Sequence, residues 1–120
     1  MIYSLTGKLV GWKENFAILE TAGIGFKVFI SPRTIQSLPA SGSTLKFFCS
    51  LYNRENSPFE LFGFLSEREL YLFDKLNSVS GIGPKTALAI LSVAPIDQLI
   101  AAINGSQADL LTRVSGIGRK

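Results

Sequence analysis

The sequence predicts an α+β protein of two domains, a five-stranded β-barrel over residues 1–64 and an all-α domain over residues 65–120. Two observations predict this division. Up to Phe64 the apolar residues fall into short, alternating segments rich in β-branched and aromatic side chains, which is typical of strands. Beyond Phe64 they recur every three or four residues, which is typical of amphipathic helices. A third observation, an internal repeat, indicates what kind of helical domain follows.

Short strands account for most of the first 64 residues. The predicted strands cover residues 2–12, 16–21, 26–30, 45–52 and 59–64. Turn-forming residues separate them at 13–15, 22–23, 39–43 and 53–58, and a helix of one or two turns is expected over residues 32–38. The tripeptide Gly23, Ile24 and Gly25 is interpreted as the turn between two strands of a β-hairpin. Five such strands predict a small barrel of the OB type.

The strand predicted over residues 45–52 has no clearly polar face, since both alternate sets contain large apolar side chains. Both faces are therefore expected to pack. The barrel interior can cover one face, and either the helical domain or a neighbouring subunit can cover the other. Cys49 lies in this strand and is interpreted as a core residue.

The helical part begins with a capping box, in which Ser66 is followed three residues later by Glu69. Apolar stripes on the first three helices are predicted to face inward: Leu70, Phe73 and Leu76; then Ala87, Leu88, Ile90 and Leu91; then Leu99, Ile100 and Ile103. Ala94 and Pro95 separate the second helix from the third, and Asn104 and Gly105 end the third. Ser106 with Asp109 is predicted to cap a fourth helix.

A ten-residue segment occurs twice in this helical part. Residues 76–85 and 111–120 are identical at 7 of 10 positions, with a period of 35 residues, and both contain Val-Ser-Gly-Ile-Gly. In each copy a helical pattern leads into a turn with glycines on either side of one isoleucine, and a basic residue follows. Ile82 and Ile117 are expected to hold each turn between its helices.

Glycines let another molecule approach the main chain closely, and successive N–H groups in such a turn form a concave anion site. Pro84 suits the first position of a new helix, whose N-terminal amides would favour a phosphate at the same spot. This is the pattern of the helix-hairpin-helix motif, which binds the DNA backbone without reading bases. The predicted DNA contacts are Ser80, Gly81, Gly83, Lys85 and Thr86 in the first copy, and Ser115, Gly116, Gly118, Arg119 and Lys120 in the second.

Composition excludes several functional classes. The chain has no histidine and one cysteine, which removes Ser-His-Asp and Cys-His catalysis, the usual zinc ligand sets and an internal disulfide. No phosphate-cradling nucleotide motif occurs, so neither a catalytic site nor a metal site is expected. The chain has no membrane-length apolar run and no secretory-type N-terminus, so a cytoplasmic protein without membrane contact is expected.

The net charge is modest for a DNA-binding protein. With 12 basic and 9 acidic residues the formal charge is +3, and the pI is about 9.2. If each chain neutralises about 2 to 4 phosphates, the logarithm of affinity should fall with the logarithm of salt concentration with a slope of only about −2 to −4. Tight binding would therefore require several copies acting together.

Together the two parts resemble the RuvA family of the bacterial Holliday-junction branch-migration complex. The resemblance covers all 120 residues and is carried by Met1, Ile2 and Gly7, and by the segments AGIGFKV (22–28), LFGF (61–64) and SGIGPKTALAIL (80–91). It implies a structure-specific DNA-binding subunit for four-way junctions, with a role in recombination, repair and the SOS response.

The resemblance also implies partners. Members of this family are expected to form a homotetramer, or an octamer of two tetramers, that holds the junction open on one concave face. A separate RuvB-type hexameric ATPase then pulls duplex DNA through it, and a RuvC-type resolvase is a further partner. ATP would serve that motor, so no cofactor is expected here. The family continues with a closing helix, a linker and an ATPase-contacting domain, so this chain is expected to be an N-terminal fragment.

In that family the loop corresponding to residues 53–58 carries an acidic pin at the junction centre, where carboxylates repel phosphates. Glu55 matches one acidic position, Asn56 stands at the second, and Arg54 flanks them. The pin would keep one of its two charges per chain. Interpreted without the family, residues 54–56 are a solvated hairpin tip.

Two other functional classes stay open. One is a general duplex-binding module, as in repair proteins with paired hairpins. A helix-hairpin-helix glycosylase is disfavoured, because its catalytic Asp lies beyond a completed second helix. The other is a binder of single strands or proteins through the barrel, which would require exposed aromatic residues interleaved with Lys and Arg.

Overall fold

The computed structural model describes residues 1–53 and 55–104. Its elements, in chain order, are β1 (Ser4–Lys13), β2 (Phe16–Thr21), β3 (Ile24–Phe29), α1 (Pro32–Gln36), β4 (Thr44–Tyr52), β5 (Glu60–Phe64), α2 (Glu67–Asn77), α3 (Pro84–Val93) and α4 (Ile96–Asn104). The chain divides into two compact units, Met1–Leu70 and Tyr71–Lys120, and α2 runs across the division. The predicted fourth helix and second hairpin lie outside the described residues.

The strands form a closed barrel in the order β1-β2-β3-β5-β4. Neighbouring strands are antiparallel except β3 and β5, which are parallel. With α1 between β3 and β4, this confirms the OB-like barrel. Closure pairs every strand on both sides, so the barrel presents no open edge for further strand pairing.

Alternation along the strands divides the side chains between the barrel interior and its outer face. The interior holds Leu9, Ala17, Leu19, Val28, Ile30, Phe47, Cys49 and Leu61, all buried. Cys49 is therefore a core residue, as predicted. The other face of β4, which carries Phe48, Ser50 and Tyr52, is half-buried.

Strand registers place two connections at the same end of the barrel. Phe16 at the start of β2 pairs with Phe29 at the end of β3, and Phe29 pairs with Phe62 near the start of β5. The β1–β2 turn lies at the end where β3 finishes. Because β5 runs parallel to β3, the β4–β5 loop, residues 53–59, lies toward the opposite end, as does the β2–β3 turn.

Several strand boundaries differ from the prediction by one or two residues, and two of these differences have an identifiable reason. Ala22 and Gly23 have φ values of 53° and 80°, so a two-residue turn suffices and Thr21 already pairs with Ile24. The prediction that Gly23, Ile24 and Gly25 together form the hairpin turn was therefore wrong for Ile24 and Gly25, which belong to β3. β1 continues to Lys13 because Lys13 pairs with Phe16.

The helices follow the predicted pattern. The Ser66 hydroxyl accepts a hydrogen bond from the Glu69 N–H at 3.2 Å and donates one to Glu69 Oε1 at 3.3 Å, which caps the start of α2. The predicted stripes on α2 and α3 are buried, and on α4 Leu99 is buried while Ile100 is half-buried. Within the described residues, no helix is long and apolar enough to cross a membrane.

Candidate nucleic-acid interface

The first repeat forms a tight connection between α2 and α3. Backbone hydrogen bonds continue past the end of α2: the Ser78 N–H donates to the Asp74 and Lys75 carbonyls at 3.2 and 3.1 Å, and the Val79 N–H donates to the Leu76 carbonyl at 3.0 Å. The Ile82 N–H then donates to the Val79 carbonyl at 3.1 Å. These bonds fold residues 78–83 into a compact turn.

The two glycines of this turn differ in backbone conformation. Gly81 has a φ of 87°, in the left-handed region that disfavours side chains with a Cβ. Gly83 has φ −88° and ψ 179° and is the N-cap of α3, with Pro84 following as the first helical residue. A Cβ added at either glycine would have none of the described atoms within 4 Å.

Between the glycines, Ile82 is only 6% exposed. Leu76 is fully buried and Val79 half-buried, so the sequence prediction that Ile82 holds the turn among apolar side chains is confirmed. Because Ile82 is buried, the turn presents its backbone outward at the glycines instead of an aliphatic side chain.

The amide groups of this turn are available to a ligand. Within residues 1–53 and 55–104, the N–H groups of Ser80, Gly81 and Gly83 donate no hydrogen bond to a backbone carbonyl. The N-cap Gly83 has no side chain to satisfy the first amides of α3, and the Ala87 N–H donates to the Gly83 carbonyl at 2.9 Å. Main-chain N–H groups and a helix N-terminus at one point attract an anion.

The side chains beside these amides are polar. Ser80 and Lys85 are exposed and Thr86 is half-buried, so the structure brings the first-copy residues to one end of α3. The second-copy residues Ser115, Gly116, Gly118, Arg119 and Lys120 lie outside the described residues, as does Arg54.

The β4–β5 loop is the other predicted site. Glu55 and Asn56 are both exposed, and Asn56 has a φ of 62°, which asparagine tolerates better than most residues. Phe59, in the same loop, is 66% exposed. The loop therefore presents a carboxylate, an amide and an aromatic ring to solvent.

Sequence reasoning missed one surface, on the outer face of β2 and β3. Phe16 and Phe29 form a cross-strand pair with ring centroids 6.4 Å apart, and the Lys27 ammonium lies 4.5 Å from the Phe16 centroid and 5.3 Å from that of Phe29. The signal was present in the alternation. The interior residues Ala17 and Val28 have the opposite parity, which directs Phe16, Lys27 and Phe29 outward.

Among the described residues, no group of three or more Cys, Asp or Glu side chains could hold a metal ion. Burial of Cys49 raises the pKa of its thiol from 9.0 to about 11, partly offset by a hydrogen bond from the Leu5 backbone. A protonated, buried thiol is a weak nucleophile, so Cys49 is a core side chain.

Comparison with known families accounts for both parts of the chain. The family model of the RuvA N-terminal domain matches residues 1–63, more than half of the chain. The chain belongs to the RuvA family. A model of a SAM-like helix-hairpin-helix tandem matches residues 73–120, which include both copies of the repeat.

Relatives cover the chain from end to end. A protein of Caldanaerobacter subterraneus subsp. tengcongensis is 43% identical over 120 residues, which is 100% of this chain and 64% of the relative. A Chlorobaculum parvum protein is 40% identical over 100% of the chain and 58% of its own length, and one from Prosthecochloris aestuarii is 38% identical over 95% and 56%. Each carries the name Holliday junction branch migration complex subunit RuvA. The chain thus spans just under two thirds of the first relative's length.

Proposed function

We propose that this chain binds four-way DNA junctions by their structure and supports branch migration in recombination and repair. The observation that carries the proposal is the first hairpin, where the amides of Gly81 and Gly83 meet the N-terminus of α3 on a chain that belongs to the RuvA family. The relatives' shared name supports the same function.

The contact proposed at each hairpin is with a phosphate. The amides of residues 80, 81 and 83 would donate to its oxygens, and the exposed Lys85 would supply a positive charge. Such contacts position DNA without reading its sequence, which suits a protein that recognises a junction by shape. The second hairpin, with Gly116, Gly118, Arg119 and Lys120, would make the equivalent contact with a phosphate of the other strand, across the minor groove.

We assign the work of ATP hydrolysis to a partner. The proposed complex contains a homotetramer of this chain, or an octamer of two tetramers, together with a RuvB-type hexameric ATPase and a RuvC-type resolvase, in the cytoplasm. The chain's net charge of +3 supports assembly, because one weakly charged subunit gains little phosphate attraction alone. Several copies on the arms of one junction would add their contacts through high effective concentration.

Glu55 is proposed to act at the junction centre. Its carboxylate is exposed in the β4–β5 loop. There it would repel the phosphates of DNA strands that stay paired and so favour strands that part at the junction centre. Asn56, which is neutral, would contribute no repulsion.

A mobility-shift experiment tests the proposal with four-way junction, linear duplex and single strand of matched sequence. The junction should be bound at the lowest protein concentration. Equal affinity for junction and duplex at matched salt would instead identify a general duplex-binding module.

A further inference from the structure

We propose that the outer face of the barrel is a second nucleic-acid site, which binds an unpaired DNA strand through its bases. The site comprises Phe16, Lys27 and Phe29 on β2 and β3, bordered by Tyr52 and Phe59 at the β4–β5 loop; we refer to these five residues as the aromatic face. It is separate in sequence from the hairpin that is proposed to hold duplex phosphates.

The topology provides the first argument. OB barrels bind oligonucleotides on the outer face of their second and third strands, flanked by the β1–β2 and β4–β5 loops. In this chain Phe16 and Phe29 pair beside the β1–β2 turn, and Phe62 connects Phe29 to Tyr52, which precedes the β4–β5 loop. The aromatic side chains therefore lie between the same two connections. The fold thus brings aromatic residues to the surface that other OB barrels use.

The arrangement of rings provides the second argument. Phe16 and Phe29 meet edge to face with an interplanar angle of 73°, and Phe62 links Phe29 to Tyr52 through centroid distances of 5.6 and 6.4 Å. Phe62 is fully buried, whereas Phe16, Phe29 and Tyr52 are half-buried and Phe59 is 66% exposed. The row therefore has a fixed, buried centre and accessible ends, which is suited to stacking against bases.

Lys27 provides the cation. It is exposed, and its ammonium lies over both phenylalanine rings at 4.5 and 5.3 Å. A base that stacks on these rings would displace the ammonium sideways, where it can contact the phosphate of the same nucleotide. Aromatic rings interleaved with a cation are the combination that single-strand-binding surfaces use.

The charge around the aromatic face favours bases over phosphates. On this face and its two flanking connections, Lys13 and Lys27 are opposed by Glu14, Glu55 and Glu60. Attraction for the phosphate backbone is therefore small, and stacking must supply most of the affinity. A duplex, whose bases are already stacked on one another, would therefore bind weakly to this surface.

The test measures binding of a fluorescently labelled oligo(dT) of about 12 nucleotides, a length within the usual range for one OB barrel. Fluorescence anisotropy would compare the parent chain with Phe16→Leu, Phe59→Leu and the double variant, since leucine keeps an apolar side chain but removes the ring. We expect the double variant to bind roughly 10-fold more weakly or worse, because each stacked ring contributes substantially to single-strand binding. The parent's affinity should change little with salt.

Two matched controls separate this site from the others. Ile24→Ala removes an apolar side chain that is 56% exposed beside the β2–β3 turn and is not part of the aromatic face, so it should leave oligo(dT) affinity unchanged. Gly83→Val alters the hairpin and should also leave it unchanged while weakening duplex binding. Loss of oligo(dT) binding in Gly83→Val would place the single strand at the hairpin and overturn the proposal.

Other results would also overturn it. One is the absence of oligo(dT) binding by the parent chain at low salt. Another is parent-like oligo(dT) affinity in leucine variants whose melting temperature equals that of the parent. This holds whether or not the oligomer mass of the variant has changed. If the double variant fails to fold, Phe59→Leu alone decides, because that ring is mostly exposed. Preference for the junction is measured with junction and duplex DNA, whereas this site is tested with oligo(dT). Failure of the proposed function and failure of this inference would therefore be distinguished.

Discussion

Gly81 and Gly83 stand two residues apart in one turn but have opposite backbone conformations, with φ values of 87° and −88°. Only Gly81 requires the left-handed region that a side chain with a Cβ disfavours. Gly83 adopts an extended conformation that any residue can take, and a Cβ added there would have none of the described atoms within 4 Å. The fold therefore requires glycine at residue 81, whereas nothing among the described residues requires glycine at residue 83.

This difference predicts the behaviour of Gly83→Val. The variant should fold with a loss of about 1 kcal/mol or less, since valine is a poorer N-cap than glycine. Its binding to duplex arms should weaken by roughly 10-fold or more, because the branched side chain stands between a phosphate and the amides and costs at least one charge-assisted hydrogen bond. Thermal melting and anisotropy with labelled duplex measure the two effects.

Gly81→Val is the comparison variant. It should lose both stability and binding, with about 1–3 kcal/mol of backbone strain appearing in denaturant unfolding. If Gly83→Val were folded and bound duplex as the parent chain does, the amides of this turn would not contact phosphate.

Lys85 should contribute one phosphate contact. Lys85→Ala is expected to weaken binding of junction and duplex alike and to reduce the slope of log affinity against log salt by about one. Lys8→Ala, which removes an exposed lysine from the barrel strand β1, is the matched control and should leave the slope unchanged. Titrations at several salt concentrations measure it. An unaltered slope in Lys85→Ala would remove that side chain from the interface.

Glu55 should set the preference for junctions. Glu55→Gln is expected to leave folding unchanged, strengthen binding to linear duplex and lower the junction-to-duplex affinity ratio, because a carboxylate near phosphates raises the free energy of the bound state. Glu14→Gln, at an exposed position in the β1–β2 turn, removes the same charge elsewhere on the barrel. The ratio should be measured at low salt, where repulsion is least screened. Equal ratios in the parent and Glu55→Gln would make Glu55 a surface residue.

Burial of Cys49 predicts a loss of stability at alkaline pH. The folded state holds the pKa of this thiol near 11, above its ordinary value of 9.0, so the unfolded chain ionises first as the pH rises. Folding should lose stability between about pH 9 and pH 11, by about 1.4 kcal/mol for each unit of pKa difference. Denaturant unfolding of the parent and Cys49→Ala across this range isolates the thiol. Parallel pH profiles in the two proteins would contradict the assignment.

Much of the barrel was predictable because its strands are short apolar segments, rich in β-branched and aromatic residues, and turn-forming residues separate them. β2 was predicted at its observed limits, Phe16–Thr21, since a polar turn precedes it and Ala22 and Gly23 follow. The start of β3 was not predictable to the residue. Whether Ile24 and Gly25 belong to a turn or a strand depends on positive φ at Ala22, an uncommon conformation for alanine.

The hairpin was predictable for a different reason, since the repeat marks the same turn twice in the amino-acid sequence. What the repeat could not give was the division of roles within it, in which Gly81 takes positive φ, Ile82 is buried and Gly83 caps the helix. The aromatic face was missed because the alternation separates Phe16 and Phe29 from Ala17 and Val28 but does not say which set lines the interior. That assignment required the register that pairs Phe16 with Phe29.

The ratio of affinities for a four-way junction and a linear duplex of matched arm sequence tests the central claim most directly. Labelled junction should be bound by the assembled protein and competed away by unlabelled duplex, at one fixed salt concentration. We predict a preference for the junction of roughly 100-fold, at the lower end of what simultaneous contacts on several arms provide. A ratio near one, with the protein folded and assembled, would contradict junction recognition and leave a hairpin protein that binds duplex DNA of any shape.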